Sequence, residues 1–172
     1  MITIYTNKIN TLNQNNYDLF ISSINLNTIP CSCNHHGCLI KHGYYKRTVK
    51  SLPFSKVKLS ILRVKCNICN KTHAIMPSDI IPYSSITVSD TISIICDFEN
   101  DVKSYSIMDT KPIIDESNIS YIVSNYRKYW QQRLITSNIS LSESIFEITL
   151  KCFDYFSRAF MQIKKVTNSF IC

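Results

Sequence analysis

The 172-residue sequence contains no aspartate or glutamate between Asp18 and Asp79, and its only two glycines, Gly37 and Gly43, fall inside that gap. No run approaches the ~18–20 apolar residues of a membrane-crossing helix. The opening "MITIYTNKINTLNQNNYDLF" lacks the basic segment and apolar core of a secretory signal. Neither H-x-E nor H-E-x-x-H occurs, and there is no internal repeat or low-complexity linker. These absences speak against a membrane span, an exported protein and a metalloprotease-type site. The expectation is a cytoplasmic, nucleoid-associated protein whose thiols stay reduced.

What is there is concentrated. From Cys31 to His73 the chain carries five cysteines, four histidines and nine Lys/Arg without one acid. The net charge of +7 hides this segregation. Residues 79–120 hold eight acids against Lys103 and Lys111, and residues 121–172 hold seven bases and three acids. Segregated positive charge is the footprint of a polyanionic partner. The acidic block forms no recognisable catalytic pair or triad and reads as a solvated surface or a face against the basic segment.

Hydrophobic content of 45% with 18% charged residues is globular composition. The expected fold class is α+β: a small β-rich zinc ribbon followed by a helical, helix-turn-helix-like part. The expected divisions are an N-terminal extension over 1–30, the ribbon over 31–83 and the helical part over 84–172. "ITIY" reads as a short strand and the stretch around Tyr17–Ser23 as a short helix. "GYYKRTV" and "KVKLSILRVK" read as hairpin strands joined by "SLPFS". Helices are expected over Ser89–Glu99, in "VKSYSIMD" and over 117–134. In the last, Ile119, Ile122, Val123, Tyr126, Tyr129, Trp130 and Leu134 repeat at helical spacing. A further helix is expected from "SLSE", where Ser140 and Glu143 have capping-box spacing. It would present Ile145, Ile148, Cys152, Phe156 and Phe160 on one side.

Eight cysteines in a reduced compartment point to metal rather than disulfides. Cys66-x₂-Cys69 is a turn spacing that lets two thiolates grip one ion, and structural zinc takes four ligands tetrahedrally. The expected set is Cys31, Cys33, Cys66 and Cys69 around a structural Zn²⁺, with Cys38 in reserve. His35, His36 and His73 are chemically capable substitutes. Cys96, Cys152 and Cys172 stand alone among apolar residues and read as small buried hydrophobes. A catalytic zinc needs an open position and a nearby acid or base; neither is apparent, so no catalytic residues are assigned and no enzyme is expected.

Four thiolates on Zn²⁺ leave a formal double negative charge, which Lys65 and Lys71 partly offset. The remaining bases exceed what that site requires and suit phosphate. The candidate backbone contacts are Lys46, Arg47, Lys50, Lys56, Lys58, Arg63 and Lys65. Helix 117–134 carries an acid-free polar arc of Ser120, Tyr121, Ser124, Asn125, Arg127, Lys128, Gln131 and Gln132. Such side chains touch phosphates and base edges, and Ser124, Arg127, Lys128 and Gln131 are the candidate readers. An ordinary amphipathic helix with its bases near the C-terminus fits the same pattern.

The cysteine cluster, "HGYYKR", "LRVKCNICNKTHAIMP" and "IIPYSS" together resemble the zinc-ribbon segment of an uncharacterised bacterial family. That family is similar in turn to the N-terminal zinc-finger part of insertion-sequence transposases. "IDESNISYIVSNYRKYWQQRL" and "FMQIKKVTNSF" resemble further family segments. The resemblance implies a zinc-stabilised protein that binds double-stranded DNA and is tied to mobile elements. The expectation is a protein that binds DNA without cutting it, since no counterpart of the three-carboxylate nuclease domain with which such transposases continue is read in these residues. Two alternatives are carried beside it: an adaptor for a protein partner such as a transposase subunit, with Tyr44, Tyr45, Phe54 and Tyr83 as its contact patch, and an RNA-binding module. No small-molecule substrate and no membrane partner are expected.

Overall fold

The computed structural model describes residues 1–5, 12–51 and 55–156. The fold is α+β, a four-stranded mixed sheet followed by helices. It divides into two compact units, Met1–Val49 with Lys56–Ser78 and Lys50–Ser55 with Asp79–Cys172.

The sheet comprises β1 (Ile2–Ile4), β2 (Leu39–Ser51), β3 (Ser55–Cys66) and β4 (Thr72–Pro77) in the order β1-β4-β3-β2. With α1 (Gln14–Ser22) it belongs to the first unit, apart from Lys50, Ser51 and Ser55, which fall in the second. The segment expected as an N-terminal extension thus contributes β1 and α1 to the sheet unit. β1 runs parallel to β4 with Ile2 opposite Ile75, and β3 runs antiparallel to β4 with Arg63 opposite Ala74. Asn13 caps α1 by accepting the Asn16 N–H at 2.8 Å, which satisfies one of the helix's orphan donors.

Helix α1 is joined to the sheet by polar bonds as well as apolar ones. The fully buried Tyr17 hydroxyl accepts the Leu62 N–H at 2.8 Å and donates to the Ile75 carbonyl at 3.0 Å. Gln14 Oε1 accepts the Ser60 N–H at 2.7 Å. Two backbone donors of β3 are therefore satisfied by side chains of α1 beyond the paired stretch of β3 and β4; at the buried Leu62 an unmet N–H would be costly. Leu59, Ile61, Leu62, Val64, Ile75 and Met76 are buried along the two strands.

The second unit builds its core from α2 (Val88–Glu99), α3 (Ser104–Thr110), α4 (Glu116–Asn125), α5 (Gln131–Thr136) and α6 (Ile145–Phe156). Helix α2 packs against α3, α4 and α6 and buries Ile92, Ile94 and Ile95. Thr87 caps α2 and Asp115 caps α4, each accepting the N–H three residues on.

The single helix expected over 117–134 is interrupted. Residues Tyr126–Trp130 form a π-helical turn between α4 and α5. One wide turn shifts the later residues around the axis, so Tyr126, Trp130 and Leu134 are buried and Tyr129, expected in the core, is exposed. The last helix also starts later than expected. The capping box is Ser144 with Glu147: the Ser144 hydroxyl accepts the Glu147 N–H at 3.2 Å, and the Glu147 carboxylate accepts the Ser144 N–H at 3.1 Å. The Ser140–Glu143 pair repeats the S-x-x-E spacing but forms only a turn. Ile148 and Cys152 are buried as expected, whereas Ile145 is exposed. Phe160, the "SLPFS" connection with Phe54, the terminal "FMQIKKVTNSF" and Cys172 lie outside the described residues, as does the Phe156 side chain.

Candidate metal centre and basic surface

Two thiol turns stand at the base of the β2–β3 hairpin and its return into β4. Their backbones are close copies of each other. In the first, the Asn34 N–H donates to the Cys31 carbonyl at 2.8 Å and the Cys31 N–H to the His35 carbonyl at 3.0 Å. In the second, the Asn70 N–H donates to the Cys66 carbonyl at 3.0 Å and the Cys66 N–H to the Lys71 carbonyl at 2.9 Å. Each turn closes on an asparagine in the left-handed region, Asn34 at φ 63 and Asn70 at φ 58, a conformation asparagine tolerates better than most residues. The shorter C-x-C spacing therefore builds the same kind of turn as C-x₂-C with one residue fewer.

The turns face each other. The ligand atoms of Cys31, Cys33, Cys66 and Cys69 all lie within 4.8 Å of one another. Cys31 Sγ is 3.6 Å from Cys69 Sγ, and Cys33 Sγ is 3.8 Å from Cys66 Sγ. A tetrahedron with metal–sulfur bonds of ~2.3 Å has sulfur–sulfur edges of about 3.8 Å. Four soft donors at that spacing fit a tetrahedral metal ion.

The second turn also tunes its thiol. Cys66 Sγ accepts the N–H groups of Cys69 and Ile68, both at 3.4 Å, and these bonds, the Cys69 one foremost, lower the Cys66 thiol to about 6 against burial. The backbone N–H of Cys33 does the same for Cys31, lowering it to about 7. For Cys69 the N–H of Lys71 favours the thiolate, but burial and the adjacent sulfurs outweigh it and push the thiol up to about 11. Cys33 is likewise raised: the His35 N–H favours its thiolate, and burial with the Cys31 and Cys66 sulfurs prevails.

The substitute ligands lie outside the four-sulfur set, although Cys38 and His73 touch it. The Cys38 thiol donates to the His35 carbonyl at 3.2 Å. His35 Nδ1 meets the Cys33 carbonyl at 2.9 Å and His36 Nδ1 the Thr28 carbonyl at 3.1 Å. His73 is buried on β4 with Nε2 3.3 Å from Cys31 Sγ, placed to orient that sulfur from outside the four-sulfur set. Of the isolated cysteines, Cys152 is fully buried and the half-buried Cys96 thiol points at the Leu141 carbonyl, 3.7 Å away.

The bases fall into several settings. Lys46, Lys56, Lys58 and Arg63 are exposed, whereas Arg47 and Lys65 are half-buried. Arg47 Nη1 lies 3.4 Å from Met76 Sδ, and Arg63 donates to the Thr72 hydroxyl at 3.3 Å. Strand alternation puts Lys56 and Lys58 on one side of β3 and Arg63 and Lys65 on the other. Lys50 is partnered within the second unit, donating to Asn118 Oδ1 at 2.8 Å with Asp115 at 3.7 Å. On the arc of α4 and the π turn, Ser124 and Lys128 are exposed and Gln131 is half-buried. The Arg127 guanidinium sits 4.5 Å from the centre of the Phe98 ring, and Lys128 Nζ sits 5.1 Å from that of Tyr129. The acids of residues 79–120 are partly used inside this unit, with Asp97 paired to Lys111.

A family model described as a domain of unknown function (DUF6431) matches residues 30–114. The match opens one residue before Cys31 and closes just before the Asp115 cap of α4. It encloses both thiol turns and the basic strands, and it leaves out the helix with the polar arc. No curated protein and no solved structure matches the chain. The family description is coarser than the resemblance drawn from the sequence, because it carries no tie to transposases or to a zinc-ribbon family. Among the described residues, no helix is long and apolar enough to cross a membrane.

Lys41 belongs to this basic surface and escaped the sequence reading. It lies with Lys46 and Lys58 along one cleft, together with Tyr44, Gln14 and Asp18. Strict alternation would put Lys41 and Lys46 on opposite faces of β2. Gly43 between them adopts φ 140, outside the strand conformation that strict alternation assumes. That glycine was the one available signal.

Proposed function

We propose that this chain is a zinc-stabilised DNA-binding module in which the metal has a structural role. The observation that carries the reading is the convergence of four cysteine sulfurs from two turns at the foot of an acid-free, lysine-studded hairpin. Zn²⁺ is the metal expected of four thiolates at tetrahedral spacing in a reduced compartment. Held by Cys31, Cys33, Cys66 and Cys69, it would cross-link the two ends of the hairpin and keep its strands rigid. Lys46, Lys56, Lys58 and Arg63 would then meet phosphate, where each neutralised charge releases a counterion. The arc of Ser124, Arg127, Lys128 and Gln131 is the proposed reader of base edges, with α3 and the Lys111–Asp115 connection ahead of α4 as a helix-turn-helix pair. The resemblance to the zinc-finger part of insertion-sequence transposases favours double-stranded DNA and an origin in mobile elements.

The test is a mobility-shift series on duplex DNA with zinc-loaded and chelated protein at increasing salt. Duplex affinity that drops steeply with salt and vanishes on chelation supports the reading. Protein that lacks stoichiometric zinc, or binding indifferent to salt, refutes it.

A further inference from the structure

The cleft of the first unit has a volume of about 650 Å³ and is walled by α1 on one side and by β2 and β3 on the other. Lys41, Lys46 and Lys58 bring three ammonium groups to it, against the single carboxylate of Asp18. None of the three lysines is ion-paired among the described residues, whose salt bridges are those of Lys50, Lys111 and Lys151. Cations gathered in a concavity focus the field and draw in an anion.

Two further features are unlike a plain patch of lysines. Tyr44 lines the same cleft with 58% of its surface exposed, and a tyrosine face left open beside cations is a platform for a flat ring. Gln14 is held by the sheet through its bond from the Ser60 N–H, and its own amide donates to Asp18 Oδ1 at 2.7 Å. The one carboxylate among the cations is thereby fixed in place, available to an amino or hydroxyl donor. The volume lies in the range of sites for small ligands. A duplex presents its phosphates on a convex cylinder and keeps its bases stacked inside, so it offers nothing to the floor of such a cleft. An unpaired strand offers both phosphate and an open base face, and a basic groove with an aromatic platform is how such strands are held.

We propose that this cleft binds an unpaired nucleic-acid strand, with phosphates on Lys41, Lys46 and Lys58 and a base stacked on Tyr44. The proposal rests on the nucleic-acid reading above and narrows it to a second kind of strand at a defined place. It gives Lys46 and Lys58, proposed above as duplex contacts, a second strand to hold, so duplex and single strand should compete for them.

The experiment measures fluorescence anisotropy of the zinc-loaded full chain on a short oligothymidylate, a short oligouridylate and a labelled duplex. Tyr44→Ala should weaken single-strand binding by roughly 5- to 150-fold, the range of base–aromatic stacking, and Tyr44→Phe should restore it. The double variant Lys46→Gln/Lys58→Gln should weaken it and flatten the salt dependence by about 1.4 in logarithmic slope. Lys103→Gln, an exposed base outside the cleft and away from the thiol turns, should leave single-strand binding as in the parent. Parallel affinity for the thymidylate and uridylate identifies phosphate and base face as the recognised chemistry, and a preference for one strand type adds the sugar or the thymine methyl to it. Wild-type single-strand affinity in Tyr44→Ala and in the lysine variant overturns the cleft, while duplex binding by the parent chain keeps the broader reading. Failure of all three probes to bind overturns the broader reading with it.

Discussion

Cys33 and Cys66 bring their sulfurs to 3.8 Å across thirty-three positions of sequence. Their turns close on Asn34 and Asn70 in matching conformations, so the approach is built by the backbone and not by side-chain reach alone. The hairpin between them is what a bound metal would tie shut.

Metal binding should release protons in an amount set by the four thiols. At pH 7 the raised Cys33 and Cys69 hold their protons, Cys31 is near its midpoint and Cys66 is largely thiolate. Zinc takes all four as thiolates, so binding at that pH releases about two to three protons. Affinity therefore rises with pH and falls steeply once acid protonates Cys66 below about 6. Titration calorimetry in buffers of different ionisation enthalpy measures the proton count. A count near zero would mean that these thiols are not the ligands.

The ligand set is separable from its neighbours by mutation. Cys69→Ser and Cys31→Ser should abolish stoichiometric zinc, read by native mass spectrometry. Cys38→Ala should keep it, because Cys38 lies outside the four-sulfur set. Zinc lost in Cys38→Ala and kept in Cys31→Ser would move the site to the reserve ligand.

Tyr17→Phe should cost about 1–3 kcal/mol, because it strands the Leu62 N–H and the Ile75 carbonyl in a buried place. The loss should appear as a lower urea midpoint with an unchanged slope. A variant as stable as the parent would show that water replaces the hydroxyl there.

Asp79 supplies a pH dependence in the second unit. Burial raises its carboxyl to about 6, although it accepts the Ser89 N–H at 3.1 Å. The folded chain thus holds this proton more tightly than the unfolded chain does. Its contribution to stability is complete below the ordinary value near 3.8 and is lost as pH rises through about 6. Asp79→Asn keeps an acceptor for Ser89 and removes the charge. It should be more stable than the parent at pH 7, by on the order of 1–3 kcal/mol, with a flatter profile between pH 4 and 6. Thermal melts across that range check it, and a variant that melts lower at pH 7 would contradict it.

Composition and spacing alone determined the α+β class, β1 to β3, α1 to α3 and a favoured set of four cysteines with Cys38 in reserve, because alternation, helical periodicity and thiol spacing are written in neighbouring residues. Strand β4 was not read, since residues 73–77 are all buried, between β1 and β3, and carry no alternation. The true cap of α6 was also legible, yet two S-x-x-E boxes compete there, and only packing selects Ser144. Nothing local announces the π turn at Tyr126–Trp130, since it arises where burying Tyr126, Trp130 and Leu134 together outweighs regular helix hydrogen bonding. Tertiary structure alone decided that Lys41 joins Lys46 and Lys58 and that Tyr17 bridges β3 and β4. It likewise decided that Arg127 rests on Phe98. These relations join residues from separate elements, and their geometry exists only once the chain has closed on itself.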